Sequence, residues 1–157
     1  MAEVETSIDV DVPVRVAYNQ WTQFEDFPQF MEGVKAVQQL DAKRLLWRAS
    51  IGGKDVEWTA EITEQVPDQV IAWRSTSGAR NHGTVRFAPQ GSGETRVTLH
   101  LEYEPVGAME STGSALGLVS ARIEGDLKRY KGFIESRGRE TGAWRGTVAG
   151  GEVQRPA

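Results

Sequence analysis

The sequence predicts an α+β domain: a seven-stranded, curved antiparallel sheet around one long C-terminal helix, with two short helices after the first strand. Three observations predict it. Apolar and polar residues alternate with period two through seven segments between residues 3 and 103, the signature of strands with one dry and one wet face. Short connections carrying Gly, Pro or Asp separate those segments, as an antiparallel meander requires. After Pro105 the apolar period lengthens to that of a helix, about 3.6 residues.

Each element follows from its own residues. Val4, Thr6, Ile8, Val10 and Val12 share the dry face of the first strand, with Glu3, Glu5, Ser7, Asp9 and Asp11 opposite. Pro13 suits the first turn of a helix, where its missing N–H costs nothing. Val14, Tyr18 and Trp21 follow at helical spacing, so this helix is expected to end near Gln23, with a second short helical turn from Glu25 to Met31. Strands are expected over 34–40, 44–50, 54–65, 70–77, 82–88 and 95–103. Gly52-Gly53 supplies one two-residue hairpin connection. Leu116, Val119, Ile123, Leu127, Tyr130 and Ile134 form the stripe of the long helix, expected over residues 110–138. Residues 3–138 therefore read as one domain, and the Gly-rich stretch 139–157 as a flexible C-terminal tail, with Trp144 able to dock back.

Composition narrows the function classes. Of 157 residues, 39% are hydrophobic and 25% charged, and the net charge is −4, ordinary for a soluble globular protein. Acids and bases are interspersed, so the clustered basic face that nucleic acid demands is missing and no nucleic-acid partner is expected. There is no cysteine, which removes disulfide and thiolate chemistry. No basic-then-apolar leader and no apolar run of membrane-spanning length is visible, so the reading is a cytoplasmic protein without integral membrane association.

A search for catalytic groups yields none. The two histidines, His82 and His100, are read as standing apart, so neither a metal site nor a cofactor is expected. GSALG (113–117) has its serine in the wrong place for a nucleophile elbow, and Gly91-Ser92-Gly93 lacks a following helix, so it is no phosphate loop. Gly113, Gly117 and Gly125 recur at fourfold spacings in the long helix. They mark either a weak helix surface or an end that frays to admit a ligand.

The distinctive segment is WTQFEDFPQF, residues 21–30, which places Trp21, Phe24, Phe27 and Phe30 beside acids and a proline. One helix, about 10 Å wide, is too narrow to cover a seven-stranded sheet, so the rings either plug the open end of the core or gate a cavity. The inward register contributes Trp47, Trp58, Trp73, Val85, Phe87 and Tyr103 as candidate walls. Phe24, Phe27, Phe30 and Met31 contribute the mouth, and Leu116, Ser120 and Ile123 the helix side. Ser75, Asn81, Ser120 and Tyr103 supply the few polar contacts.

Four stretches, in this order and spacing, carry a family resemblance: VDVPVRVAYNQWTQFEDFPQFMEGV, VEWTAEITEQVPDQVIAWRS, GTVRFAPQGSGETRVTLHLEYEP and RIEGDLKRYKGFIE. Over residues 3–138 the sequence resembles the START/Bet v 1-like (SRPBCC) superfamily, the helix-grip fold. It is most similar to the polyketide cyclase/dehydrase and coenzyme-Q-binding branch. The resemblance implies a hydrophobic cavity between sheet and long helix, used for lipids, quinones, sterols or polyketides. It also implies a test of enzymatic chemistry. Aromatase/cyclases of this fold are credited with a Tyr after the second short helix and an Arg in a middle strand, and ungapped alignment puts Val34 and Ile62 at those places. The expected function is thus a carrier or chaperone for an apolar, ring-containing small molecule. The alternatives are a cyclase/dehydrase-type enzyme and a stress-related or partner-binding module acting through ETGAWRG in the tail. Oligomeric state is left open.

Overall fold

The computed structural model of the chain describes residues 2–51, 53–104 and 113–156, with the side chains at 51 and 113–118 outside the description. Strand β1 (Ala2–Val10) leads into α1 (Val14–Trp21) and a 3-10 helix (Phe24–Gln29) that contains Pro28. Six strands follow: β2 (Val34–Gln39), β3 (Arg44–Ile51), β4 (Lys54–Val66), β5 (Val70–Gly78), β6 (Asn81–Pro89) and β7 (Thr95–Tyr103). Helix α2 spans Gly113–Arg137. The sheet order is β1-β7-β6-β5-β4-β3-β2 with antiparallel neighbours throughout, the curved sheet and long helix of a helix-grip fold. Among the described residues, no helix is long and apolar enough to cross a membrane.

The dry face is covered in two parts. Helix α1 lies over β6 and β7, where Tyr18 and Trp21 meet Phe87 edge-on at 5.4 and 6.2 Å. The C-terminal half of α2 packs beside β1 and against the ring-bearing segment, burying Leu127, Tyr130 and Ile134, each 1% exposed or less. Tyr130 fixes the two helices together, its hydroxyl donating to the Ala17 carbonyl at 2.7 Å. Arg129 Nε donates to the Phe30 carbonyl at 2.9 Å, and the Glu32 N–H donates to Asp126 at 3.1 Å. Three successive contacts from α2 therefore set the position of the ring-bearing segment.

Two features differ from the sequence reading. In β4 the pairing with β5 slips between Ile62 and Glu64. This bulge turns Gln65 into the dry face, where it is 1% exposed. The stretch 139–156, read from sequence as a flexible tail, carries a short β-hairpin. Strand β4 outruns β3, whose pairing ends at Arg44 opposite Glu61, and the bare edge beyond it is taken by a new strand, β8 (Thr147–Ala149), through Gln65 and Val148. Strand β9 (Glu152–Gln154) completes the hairpin. Gly150 and Gly151 make its turn with φ of 58° and 80°, the positive pair that a two-residue hairpin turn needs.

Polar contacts then tie the tail to α1 and the 3-10 helix. Thr141 N–H donates to Gln20 at 2.9 Å, Trp144 N–H to the Thr22 hydroxyl at 3.1 Å, and the Thr141 hydroxyl to Asp26. Arg145 bridges Asn19 at 2.7 Å and Asp68 at 2.8 Å while lying over the Tyr18 ring. ETGAWRG is thus engaged by the domain itself.

Candidate functional site

Alongside these covered regions the described residues leave the dry face incompletely filled. The cavity there has a volume of about 200 Å³. Its sheet wall comprises Leu45 and Trp47 on β3, Trp58 and Ile62 on β4, Ile71 and Trp73 on β5, and Leu99, Leu101 and Tyr103 on β7. Trp21, Phe24, Phe27, Met31 and Val34 close the α1 side, and Val119, Ile123, Asp126 and Leu127 form the helix side. Asn81, Ala79, Arg80 and Glu104 stand at the strand ends, where Arg80 and Glu104 pair at 3.6 Å and are largely exposed.

The wall is rigid for identifiable reasons. Trp47 and Trp58 are direct cross-strand partners, and their rings stack at 5.6 Å with 7° between planes. Phe27 packs on Trp47 at 5.6 Å. Trp73 donates its indole N–H to Asn81 at 3.1 Å, and Asn81 is held in turn by its own N–H to Ser75. The Trp73 ring lies against Gly83, where a Cβ would fall 2.6 Å from it. Only glycine leaves room for the indole at that place.

The polar inventory is small. The Trp47 and Trp58 indole nitrogens are buried and have no hydrogen-bond partner among the described residues. Burial pushes the Asp126 carboxyl above its ordinary range, with the pull of Arg129 and the Glu32 N–H opposing it. Burial likewise raises the Tyr18 hydroxyl to about 12, opposed by Gln65 and Arg145. Val34 and Ile62, the positions aligned with the cyclase tyrosine and arginine, are both in the wall. They present hydrocarbon where such an enzyme would hold a proton donor.

Of the residues singled out from sequence, Phe24, Phe27, Met31, Trp47, Trp58, Trp73, Asn81, Tyr103 and Ile123 meet around this one volume. Others do not. Phe30 turns away to pack on Tyr130 and Phe133 at 5.5 and 5.2 Å. Val85 is fully buried and Phe87 nearly so, Phe87 beneath α1. Ser75 acts behind the wall by accepting from Asn81, and Ser120 is half-buried on α2 away from it. Leu116 lies outside the described side chains, as do Gly113 and Gly117. Sequence reasoning missed Arg80, Glu104 and Asp126, because polar residues at strand ends and on an amphipathic helix read as solvated surface.

Comparison with known proteins follows from this geometry. The family described as polyketide cyclase/dehydrase and lipid transport matches residues 10–131. An uncharacterised 17.2 kDa protein from the melC2-rnhH intergenic region of Streptomyces lincolnensis is 48% identical over 149 residues, 94% of this chain and 99% of its own. A START superfamily protein from Mycobacterium smegmatis superposes with TM-score 0.74 at 17% identity, covering 86% of this chain and 98% of that one. The ZhuI aromatase/cyclase from Streptomyces sp. R1128 gives TM-score 0.72 at 16% identity, over 90% and 98%. At such identities the two structures speak for the fold alone.

Proposed function

The chain belongs to the polyketide cyclase/dehydrase and lipid transport family, and from that premise we propose that it binds an apolar, ring-containing small molecule as a carrier or chaperone. The observation that carries the proposal is the aromatic cavity. Its volume of about 200 Å³ suits one or two fused rings, since an apolar cavity of about 150 Å³ already holds benzene. A quinone-like or polyketide-like compound meets that condition. Hydrocarbon at Val34 and Ile62 favours binding over turnover.

The test uses 1,4-naphthoquinone, two rings with two carbonyls and a quencher of indole fluorescence. Saturable quenching is expected, with affinity at least tenfold weaker in Trp73→Ala. Native mass spectrometry of protein purified without detergent should reveal a co-purifying apolar mass. Absence of both saturable quenching and a bound mass would sink the proposal.

The second reading keeps the cavity and adds cyclase/dehydrase-type turnover. Asp126 favours it, as a carboxyl on the wall that burial pushes above its ordinary range. Turnover of a polyketide-like substrate that survives Asp126→Asn unchanged would remove that role.

A further inference from the structure

The outer, wet face of the sheet carries a second constellation, unrelated to the cavity in chemistry. The chain has two histidines, and the register brings both to one place. His82 on β6 is the direct partner of Glu102 on β7, and Glu102 is the direct partner of Glu3 on β1. His100 lies two residues along β7 on the same face, its Nε2 2.6 Å from Glu3 Oε1. His82 Nε2 contacts Glu102 Oε2. The ligand atoms offered by Glu3, His100 and Glu102 all lie within 4.8 Å of one another.

Glu3 and Glu102 face each other directly across β1 and β7, an arrangement that is unfavourable for two like charges. A cation between them removes that cost, and imidazole nitrogens beside the carboxylates select its type. Magnesium and calcium prefer oxygen alone, whereas a mixed imidazole and carboxylate set suits zinc and its neighbours in the first transition row. Tetrahedral zinc sites hold nitrogen and oxygen ligands at about 2.0–2.2 Å, hence roughly 3.4 Å from each other. The present separations need shifts of about an ångström, and the side chains concerned are partly exposed, Glu3 at 58% and His82 at 49%.

We propose that Glu3, His100 and Glu102 form a binding site for one divalent transition-metal ion of the zinc class, with His82 as fourth ligand or as the group that orients Glu102. Such an ion staples β1, β7 and β6 together. Glu102 adjoins Tyr103 and His82 adjoins Asn81 in sequence. The staple therefore sits directly behind the two strand ends that present Tyr103 and Asn81 to the cavity.

The test uses the full chain without a histidine tag, stripped with a chelator and dialysed. Titration with Co²⁺ should give one saturable visible absorption band at one equivalent, displaced by Zn²⁺. Zn²⁺ should raise the melting temperature, and Mg²⁺ should not. His100→Ala and Glu102→Gln should abolish the band, and His82→Ala should weaken binding by roughly 10- to 100-fold. All three positions are on the wet face, and circular dichroism should report an unchanged fold. The proposal is overturned if Zn²⁺ shows no saturable binding below millimolar concentration. Equally, it is overturned if one-to-one binding persists in the His82→Ala/His100→Ala double variant.

Discussion

Arg145→Ala isolates the docking of the tail. The side chain donates to Asn19 at 2.7 Å and to Asp68 at 2.8 Å, and its guanidinium carbon sits 5.6 Å from the centre of the Tyr18 ring. Hydrogen bonds to charged groups contribute roughly 1.5–3 kcal/mol each, and a cation over an aromatic face about 0.5–1 kcal/mol at exposed sites. Arg145 and Asp68 are 21% and 33% exposed, so solvent screening lowers each bond to about 1 kcal/mol. The expected loss is about 2–3 kcal/mol. For a chain of this size that corresponds to a fall in melting temperature of roughly 5–10 °C. Guanidinium unfolding followed by tryptophan fluorescence should show a lower midpoint with an unchanged slope. Lys35→Ala is the control, because the Lys35–Asp55 pair is 55% and 77% exposed and should contribute less than about 1 kcal/mol. A loss for Arg145→Ala no greater than for Lys35→Ala would refute the docked tail.

Two further substitutions probe the walls. Gly83→Ala places a methyl group 2.6 Å from the Trp73 ring and 2.7 Å from the His100 carbonyl; it should cost about 1–3 kcal/mol and push the indole into the cavity. Weaker 1,4-naphthoquinone binding is then expected, and wild-type affinity would contradict the cradle. Tyr130→Phe deletes the fully buried hydroxyl that holds α2 to Ala17. It should lower the unfolding free energy by about 1–3 kcal/mol, whereas an unchanged midpoint would show that the two helices are held by packing alone.

The strands were legible because alternation reports burial directly. Val4, Val10 and Val12 are buried and their polar neighbours are not. What defeated the reading was information held in pairing. The bulge after Ile62 reverses which residues of β4 face inward, and no single-strand pattern marks where two strands slip. His82 and His100 are 18 positions apart, and only the β6–β7 register shows that they share a neighbourhood. Val85 and Phe87 were correctly placed on the dry face, but which helix covers that region is a tertiary fact, and α1 covers it. The hairpin in the tail is a different case. TVAGGEVQ carries a Gly-Gly turn between two short alternating segments, a hairpin signal that overall glycine content obscured.

The cavity is best understood through what surrounds it. Part of the dry face is packed by α1 on Phe87, and part by Leu127, Tyr130 and Ile134 of α2, with almost nothing exposed at those residues. Toward Val119 and Ile123 the described residues leave a gap. The walls cannot collapse into the gap, because Trp47 and Trp58 brace one another across the strands and Asn81 tethers Trp73. A ligand that fills the space takes this apolar wall out of water, and that burial is the driving force for capture of an apolar ring.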